Sequence, residues 1–90
     1  MKFKIEKIKK NIYKITEPYF YEYANIFVFK GKLFNLVVDC GIGLENLKDF
    51  LIANNFNNLK LFLTHAHFDH CGGLKYFFNK ELLIKNKIYK

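Results

Sequence analysis

Apolar and polar residues alternate along the first part of the chain. Phe3, Ile5 and Ile8 open a period-two pattern and Ile12, Tyr13 and Ile15 continue it. That spacing predicts two short strands, or one hairpin turning at Lys9-Lys10-Asn11. Glu17-Pro18 is expected to break the run, because proline lacks a ladder donor and restricts the residue before it. Tyr19, Phe20, Tyr21 and Tyr23 then read as an aromatic loop. Residues 25–29 and 33–38 form a strand, turn, strand signal around Lys30-Gly31-Lys32. After Asp39-Cys40-Gly41-Ile42-Gly43 the spacing becomes helical. Over 44–54, Leu44, Leu47, Phe50 and Leu51 share one face, and Glu45, Lys48 and Asp49 the other. Asn54-Asn55 and Asn57-Asn58 are suited to stop that helix, since Asn tolerates a left-handed backbone. Residues 59–63 predict a short buried strand at the centre of the sheet, with the helix packed on it. A short helix over 74–78 and a further strand over 82–84 come next. Strands, helix, strand, helix, strand is the order of an α/β domain with a mixed sheet and flanking helices.

Composition supports a packed domain. Of 90 residues, 51% are hydrophobic, with 11 Phe, 6 Tyr and a single Pro, unlike the composition of a disordered tail. No internal repeat or linker is visible, so one domain, or part of one, spans 1–90. The formal charge of +7 raises nucleic acid or an anionic surface as partners. All 15 basic residues are Lys, however, and they are scattered, with only Lys9 and Lys10 adjacent. Arg, the preferred reader of phosphates and bases, is absent. A solvated lysine surface therefore accounts for the charge better than a nucleic-acid groove. Two cysteines, Cys40 and Cys71, make no disulfide framework. Residues 1–10 lack the apolar core of a secretory signal, and no stretch approaches the ~18 apolar residues of a membrane span. The expected compartment is the cytoplasm, with no membrane partner.

All three histidines, His65, His67 and His70, lie within six residues, with Asp69 among them. Imidazole nitrogen and carboxylate oxygen are ligands for divalent transition metals. At the end of an extended strand His65 and His67 project to the same side, while Ala66 and Phe68 point the other way. Asp69 and His70 lie where the chain turns, so both can face the same space. Ligands commonly collect at this C-terminal edge of an α/β sheet. A lone histidine would read as an ordinary surface or capping residue. A His-x-His-x-Asp-His run between an apolar strand and Gly72-Gly73 points to a metal site.

Thr64-His65-Ala66-His67-Phe68-Asp69-His70-Cys71-Gly72-Gly73 resembles the signature of the metallo-β-lactamase superfamily. Asn25-Ile26-Phe27-Val28-Phe29 and Val37-Val38-Asp39-Cys40-Gly41, followed by a helix and a strand, are similar to the family's N-terminal half. The likeness runs over roughly residues 13–74. It implies the N-terminal half of a four-layer αββα sandwich with one or two zinc ions at its edge, iron or manganese being alternatives. By position, His65 and His67 would bind the first ion, and Asp69 and His70 the second. Asp69 is the carboxylate carried over as catalytic. Such a pair of ions activates water against a carbonyl or phosphoryl group. Asp39 matches an aspartate that supports the metal loop from behind; a simple polar turn residue before Gly41 is the other reading. Gly72 and Gly73 would let the next helix pack close beneath the loop. Cys71 and Cys40 read as packing residues. The Tyr19 to Tyr23 cluster either overhangs the site or belongs to an aromatic core or patch.

In the family, a third histidine for the first ion, a bridging aspartate and a further histidine come from the C-terminal half. No His or Asp occurs after His70 here. The expectation is a truncated domain whose isolated chain is inactive, and whose uncovered face calls for a missing C-terminal half or self-association. Three functions remain open: a hydrolase of small thioesters, esters or lactones, a nuclease of the same superfamily, and a non-catalytic remnant that binds metal weakly.

Overall fold

The computed structural model describes residues 3–19, 22–64, 72–77 and 79–82. Five strands, β1 (Lys4–Lys9), β2 (Ile12–Tyr19), β3 (Glu22–Lys30), β4 (Asn35–Val38) and β5 (Leu59–Phe62), form one sheet in sequential order. The first four are antiparallel neighbours, and β5 runs parallel to β4. Parallel neighbours need a crossover, which is usually a helix. Here it carries α1 (Leu47–Ala53).

The first hairpin turns at Lys10-Asn11, where Asn11 takes a positive φ of 66°. The register slips between Lys7 and Lys9, which makes Ile8 a bulge and leaves it exposed. β1 is exposed along its length, and its lysines suit a sheet edge because charge there discourages pairing with other chains.

Pro18 does not end the second strand. β2 continues to Tyr19, and Pro18 pairs with Tyr23 across the β2–β3 hairpin. Thr16 is the last β2 residue with a described β1 partner, so the missing proline donor falls beyond the described β1–β2 pairs. Of the expected aromatic loop, Tyr19 and Tyr23 are strand residues, and Phe20 and Tyr21 lie outside the described residues. β4 begins at Asn35, two residues later than the pattern implied. Gly31 to Phe34 make the turn, and Leu33 is 82% exposed.

The core lies on one face of the sheet. Ile15, Ile26, Val28, Val37, Leu59 and Leu61 meet Leu47 and Leu51 of α1, with Phe56, Leu63, Phe77 and Leu82 around them. Burial of a Leu or Ile in such a cluster contributes about 1.5–3 kcal/mol each. The helix starts three residues later than its apolar spacing predicts. Asn46 is its N-cap and accepts from the Asp49 amide at 3.0 Å. Leu44 is 47% exposed and outside the helix, because Gly43, at φ 87°, turns the chain just before it. The stop behaves as expected: Asn55 and Asn58 have φ of 69° and 51°.

After β5 the described chain resumes in a 3-10 turn, Gly72–Tyr76, two residues ahead of the expected helix, and a second turn spans Asn79–Glu81. Leu82 makes a single parallel bridge to Leu61. Among the described residues β5 is thus the last full strand of the sheet and not a central one, with that bridge as the only ladder step beyond it. Residues 83 and 84 of the expected last strand lie outside the described residues.

Candidate active site

β4 and β5 end side by side, and the segments leaving them shape the site. Asp39 leaves β4 with φ 69°, a left-handed conformation that Asp tolerates better than most residues. This turn aims its carboxylate across at the chain leaving β5. Oδ1 of Asp39 accepts from the Thr64 amide at 2.9 Å, and the Thr64 hydroxyl lies 3.0 Å from both carboxylate oxygens. The Asp39 amide in turn donates to the Phe62 carbonyl at 2.8 Å. Asp39 is buried, at 6% exposure. A buried carboxylate must accept hydrogen bonds to offset lost hydration, and Thr64 supplies them. Of the two readings of Asp39, this is the geometry of a support: it fixes the residue immediately before His65.

Beyond the motif, Gly72 and Gly73 pack backbone to backbone against the loop after β4. A Cβ on Gly72 would overlap the Ile42 carbonyl oxygen, and one on Gly73 the Cys40 carbonyl oxygen. The Gly73 amide donates to the Gly41 carbonyl at 3.2 Å, and the Tyr76 hydroxyl to the Gly43 carbonyl at 3.1 Å. The close packing of the glycine pair is therefore against residues 40–43; the expected packing beneath the metal loop involves residues outside the described ones. Cys40 is buried in the core cluster, as its reading as a packing residue required.

One buried carboxylate beside this loop escaped the sequence reading. Glu17, 3% exposed, reaches from β2 to the same loop. Its Oε1 accepts from the Ile42 amide at 2.8 Å and its Oε2 from the Leu44 amide at 3.2 Å. The available signal was parity. Tyr13, Ile15 and Glu17 occupy alternate positions of β2, so a carboxylate falls on the inward face once the strand runs through Pro18.

His65, His67, Asp69 and His70 lie outside the described residues, as do Ala66, Phe68 and Cys71. The structure fixes what stands before and after them, Thr64 on Asp39 and Gly72-Gly73 on residues 40–43. Among the described residues no three His, Cys, Asp or Glu side chains gather as a metal site, and no helix is long and apolar enough to cross a membrane. Tyr23 of the aromatic cluster lies on the face of the sheet opposite the core, 63% exposed, beside Lys14, Thr16 and Asn25.

Residues 21–81 match the family model of the metallo-beta-lactamase superfamily. An acyl-coenzyme A thioesterase of Gallus gallus, MBLAC2, is 40% identical over 63 residues, covering 60% of this chain and 23% of that protein. Its Homo sapiens counterpart is 34% identical over 66 residues, covering 60% and 24%. The fold is similar to that of a metallo-beta-lactamase from Pontibacter korlensis, with TM-score 0.70 and 21% identity, over 82% of this chain and 38% of that one. It is also similar to FIM-1 from Pseudomonas aeruginosa, solved in a mono-zinc form, with TM-score 0.72 and 16% identity, over 91% and 40%. The chain spans about a quarter of the length of these curated relatives. The five-stranded mixed sheet with its crossover helix corresponds to part of the αββα sandwich.

Proposed function

Because this chain belongs to the metallo-beta-lactamase superfamily, we propose that it carries half of the active site of a metal-dependent thioester hydrolase. The observation that carries the reading is the clamp of Asp39 on Thr64, which fixes the start of a His-x-His-x-Asp-His run. The thioester preference rests on the two acyl-coenzyme A thioesterases among the relatives.

The donor set suits zinc, since imidazole and carboxylate are both zinc ligands. His65 and His67 would hold one ion, and Asp69 and His70 a second. When bound, zinc supplies a hydrolytic nucleophile at neutral pH and polarises the thioester carbonyl. The chain's own part is to hold the donors in place. Asp39 fixes the exit from β5 through Thr64, and Gly72-Gly73 fix the return against residues 40–43. Anchoring both ends lowers the entropy that the donors lose when they converge on an ion.

Two donors for each ion are fewer than the three protein ligands that open catalytic zinc sites keep. In this reading the 90 residues alone hold zinc weakly and turn over little, and further polypeptide provides the remaining ligands. The sheet carries a face suited to meet it. Phe27, Phe29, Leu36, Val38 and Phe62 share the face opposite the core, and Phe29 is 40% exposed. Without a cover, such a patch favours self-association.

The test has two arms. The purified chain with excess zinc should cleave neither an acyl-coenzyme A nor a lactone faster than its His67→Ala variant. Joined to the C-terminal portion of the Gallus gallus relative, the same residues should cleave the acyl-coenzyme A, and His67→Ala should abolish that cleavage. Turnover by the chain alone would contradict the half-site reading. A folded chimera that binds zinc but cleaves only the lactone would contradict the thioester reading.

A further inference from the structure

The loop over residues 39–44 is held from two directions. Asp39, Gly41 and Gly43 all have positive φ, at 69°, 73° and 87°. Backbone that alternates hand in this way turns successive N–H groups toward a common point, a concavity that binds anions. The two N–H groups that converge here are those of Ile42 and Leu44, and the anion is the Glu17 carboxylate. Glu17 arrives there for reasons visible in its neighbours. Ile15 and Glu17 share the inward side of β2, and Pro18 biases the Glu17 backbone toward the extended conformation. Gly41 is required beneath it, because a Cβ at that position would overlap Oε1 of Glu17.

The same loop touches both described ends of the metal-binding run. Asp39 at its start holds Thr64. Gly41 and Gly43 accept hydrogen bonds from the Gly73 amide and the Tyr76 hydroxyl. We propose that Glu17 is a positioning residue for the metal site: its carboxylate sets residues 41–44, and through them the platform to which the run from His65 to His70 is anchored. This inference rests on the metal-site reading above. The action is indirect, since Glu17 acts only through the loop.

Charge matters to this role. A carboxylate offers acceptors to both amides, and charge-assisted bonds are about twice as strong as neutral ones. Glutamine keeps the shape but offers one oxygen and places an NH2 group against the other amide. Aspartate keeps the charge and shortens the reach.

The test compares the chain with its Glu17→Gln, Glu17→Asp and Leu51→Ala variants. Two quantities are read: amide hydrogen exchange, and zinc affinity by competition with a chromophoric chelator. Glu17→Gln should speed exchange at Ile42, Leu44 and Gly73 at least about tenfold, with the β2–β3 amides unchanged, and lower zinc affinity about tenfold. Glu17→Asp should fall between it and the parent. Leu51→Ala removes a buried α1 side chain from the core without touching the Glu17 hydrogen bonds. It should speed exchange broadly while the folded chain keeps its zinc affinity. Faster exchange confined to Ile42 and Leu44, with Gly73 and zinc affinity unmoved, would overturn the proposal. So would an equal loss of zinc affinity in Leu51→Ala. If the parent chain binds no zinc at all, the metal reading fails by itself, and exchange at Gly73 still decides whether Glu17 controls that anchor. Should Glu17→Gln not fold, Glu17→Asp is judged by the same two readouts.

Discussion

The two ends of the β4–β5 pair are both tied by polar side chains, yet they are built differently. At the end where the strands begin, Asn35 donates to the Asn57 carbonyl at 2.6 Å, Asn58 donates to the Leu33 carbonyl, and Lys48 pairs with Glu81 at 3.0 Å. Those ties use side-chain amides and one lysine–carboxylate pair, and they join turns and helix side chains. At the end where the strands finish, two buried carboxylates, Asp39 and Glu17, hold backbone amides, and glycines bring two chain segments into direct backbone contact. The first arrangement closes off a sheet. The second fixes Thr64 and Gly72-Gly73, the described residues on either side of the proposed metal-binding run, with buried charge and side-chain-free packing. Function collects at the C-terminal edge of parallel strands in α/β folds, and here the investment in fixed geometry is concentrated at that edge.

Substitutions can break or sharpen this contrast. The largest effect is expected from Asp39→Ala, which removes the acceptor for the Thr64 amide and hydroxyl. Zinc affinity should fall about tenfold to a hundredfold, equivalent to roughly 1.4–2.7 kcal/mol, as read by chelator competition. Gly73→Ala comes next. Its new methyl group meets the Cys40 carbonyl oxygen, and overpacking of this kind costs about 1–3 kcal/mol, seen as a lower urea midpoint. Zinc affinity should fall with it, because the return from the motif is displaced. At the opposite end, Lys48→Met takes one partner from a 3.0 Å ion pair whose side chains are only 16% and 13% exposed; it should cost about 1–3 kcal/mol and leave zinc affinity unchanged. Asn35→Ala should lose about 1 kcal/mol of stability with its hydrogen bond and leave zinc affinity unchanged. A drop in zinc affinity from either of these last two variants would erase the distinction between the ends.

Much of the frame was legible because it rests on local rules. The hairpin at Lys10-Asn11, the strands on either side of Gly31, the crossover helix with its Asn stop, and the short strand before Thr64 all come from periodicity and turn chemistry. The resemblance offered a supporting place for Asp39 as one of two readings; the contact of Gly72 and Gly73 with residues 40–43 was not among its expectations. What periodicity missed depends on tertiary surroundings. Pro18 stays in a strand paired to Tyr23 of β3, beyond the last described β1 pair, Lys4 with Thr16, a fact about its neighbours and not about the dipeptide. Leu44 has helical spacing, but its amide is taken by Glu17, a residue 27 positions away. Glu17 was hidden for a related reason: read as half of a Glu-Pro break, it was given no strand parity to place it on the inward face. β5 read as central because residues 59–63 are a mostly apolar run; among the described residues its far side carries only the Leu61–Leu82 bridge.

His65, His67, Asp69 and His70 are proposed as a partial zinc site that follows the Asp39–Thr64 clamp. The most direct test is the zinc affinity of the purified 90-residue chain beside that of His67→Ala, at equal folded content. The account predicts weak binding by the parent and at least about tenfold weaker binding by the variant. Equal affinity in the two proteins, or no binding by a parent shown to be folded, would contradict it.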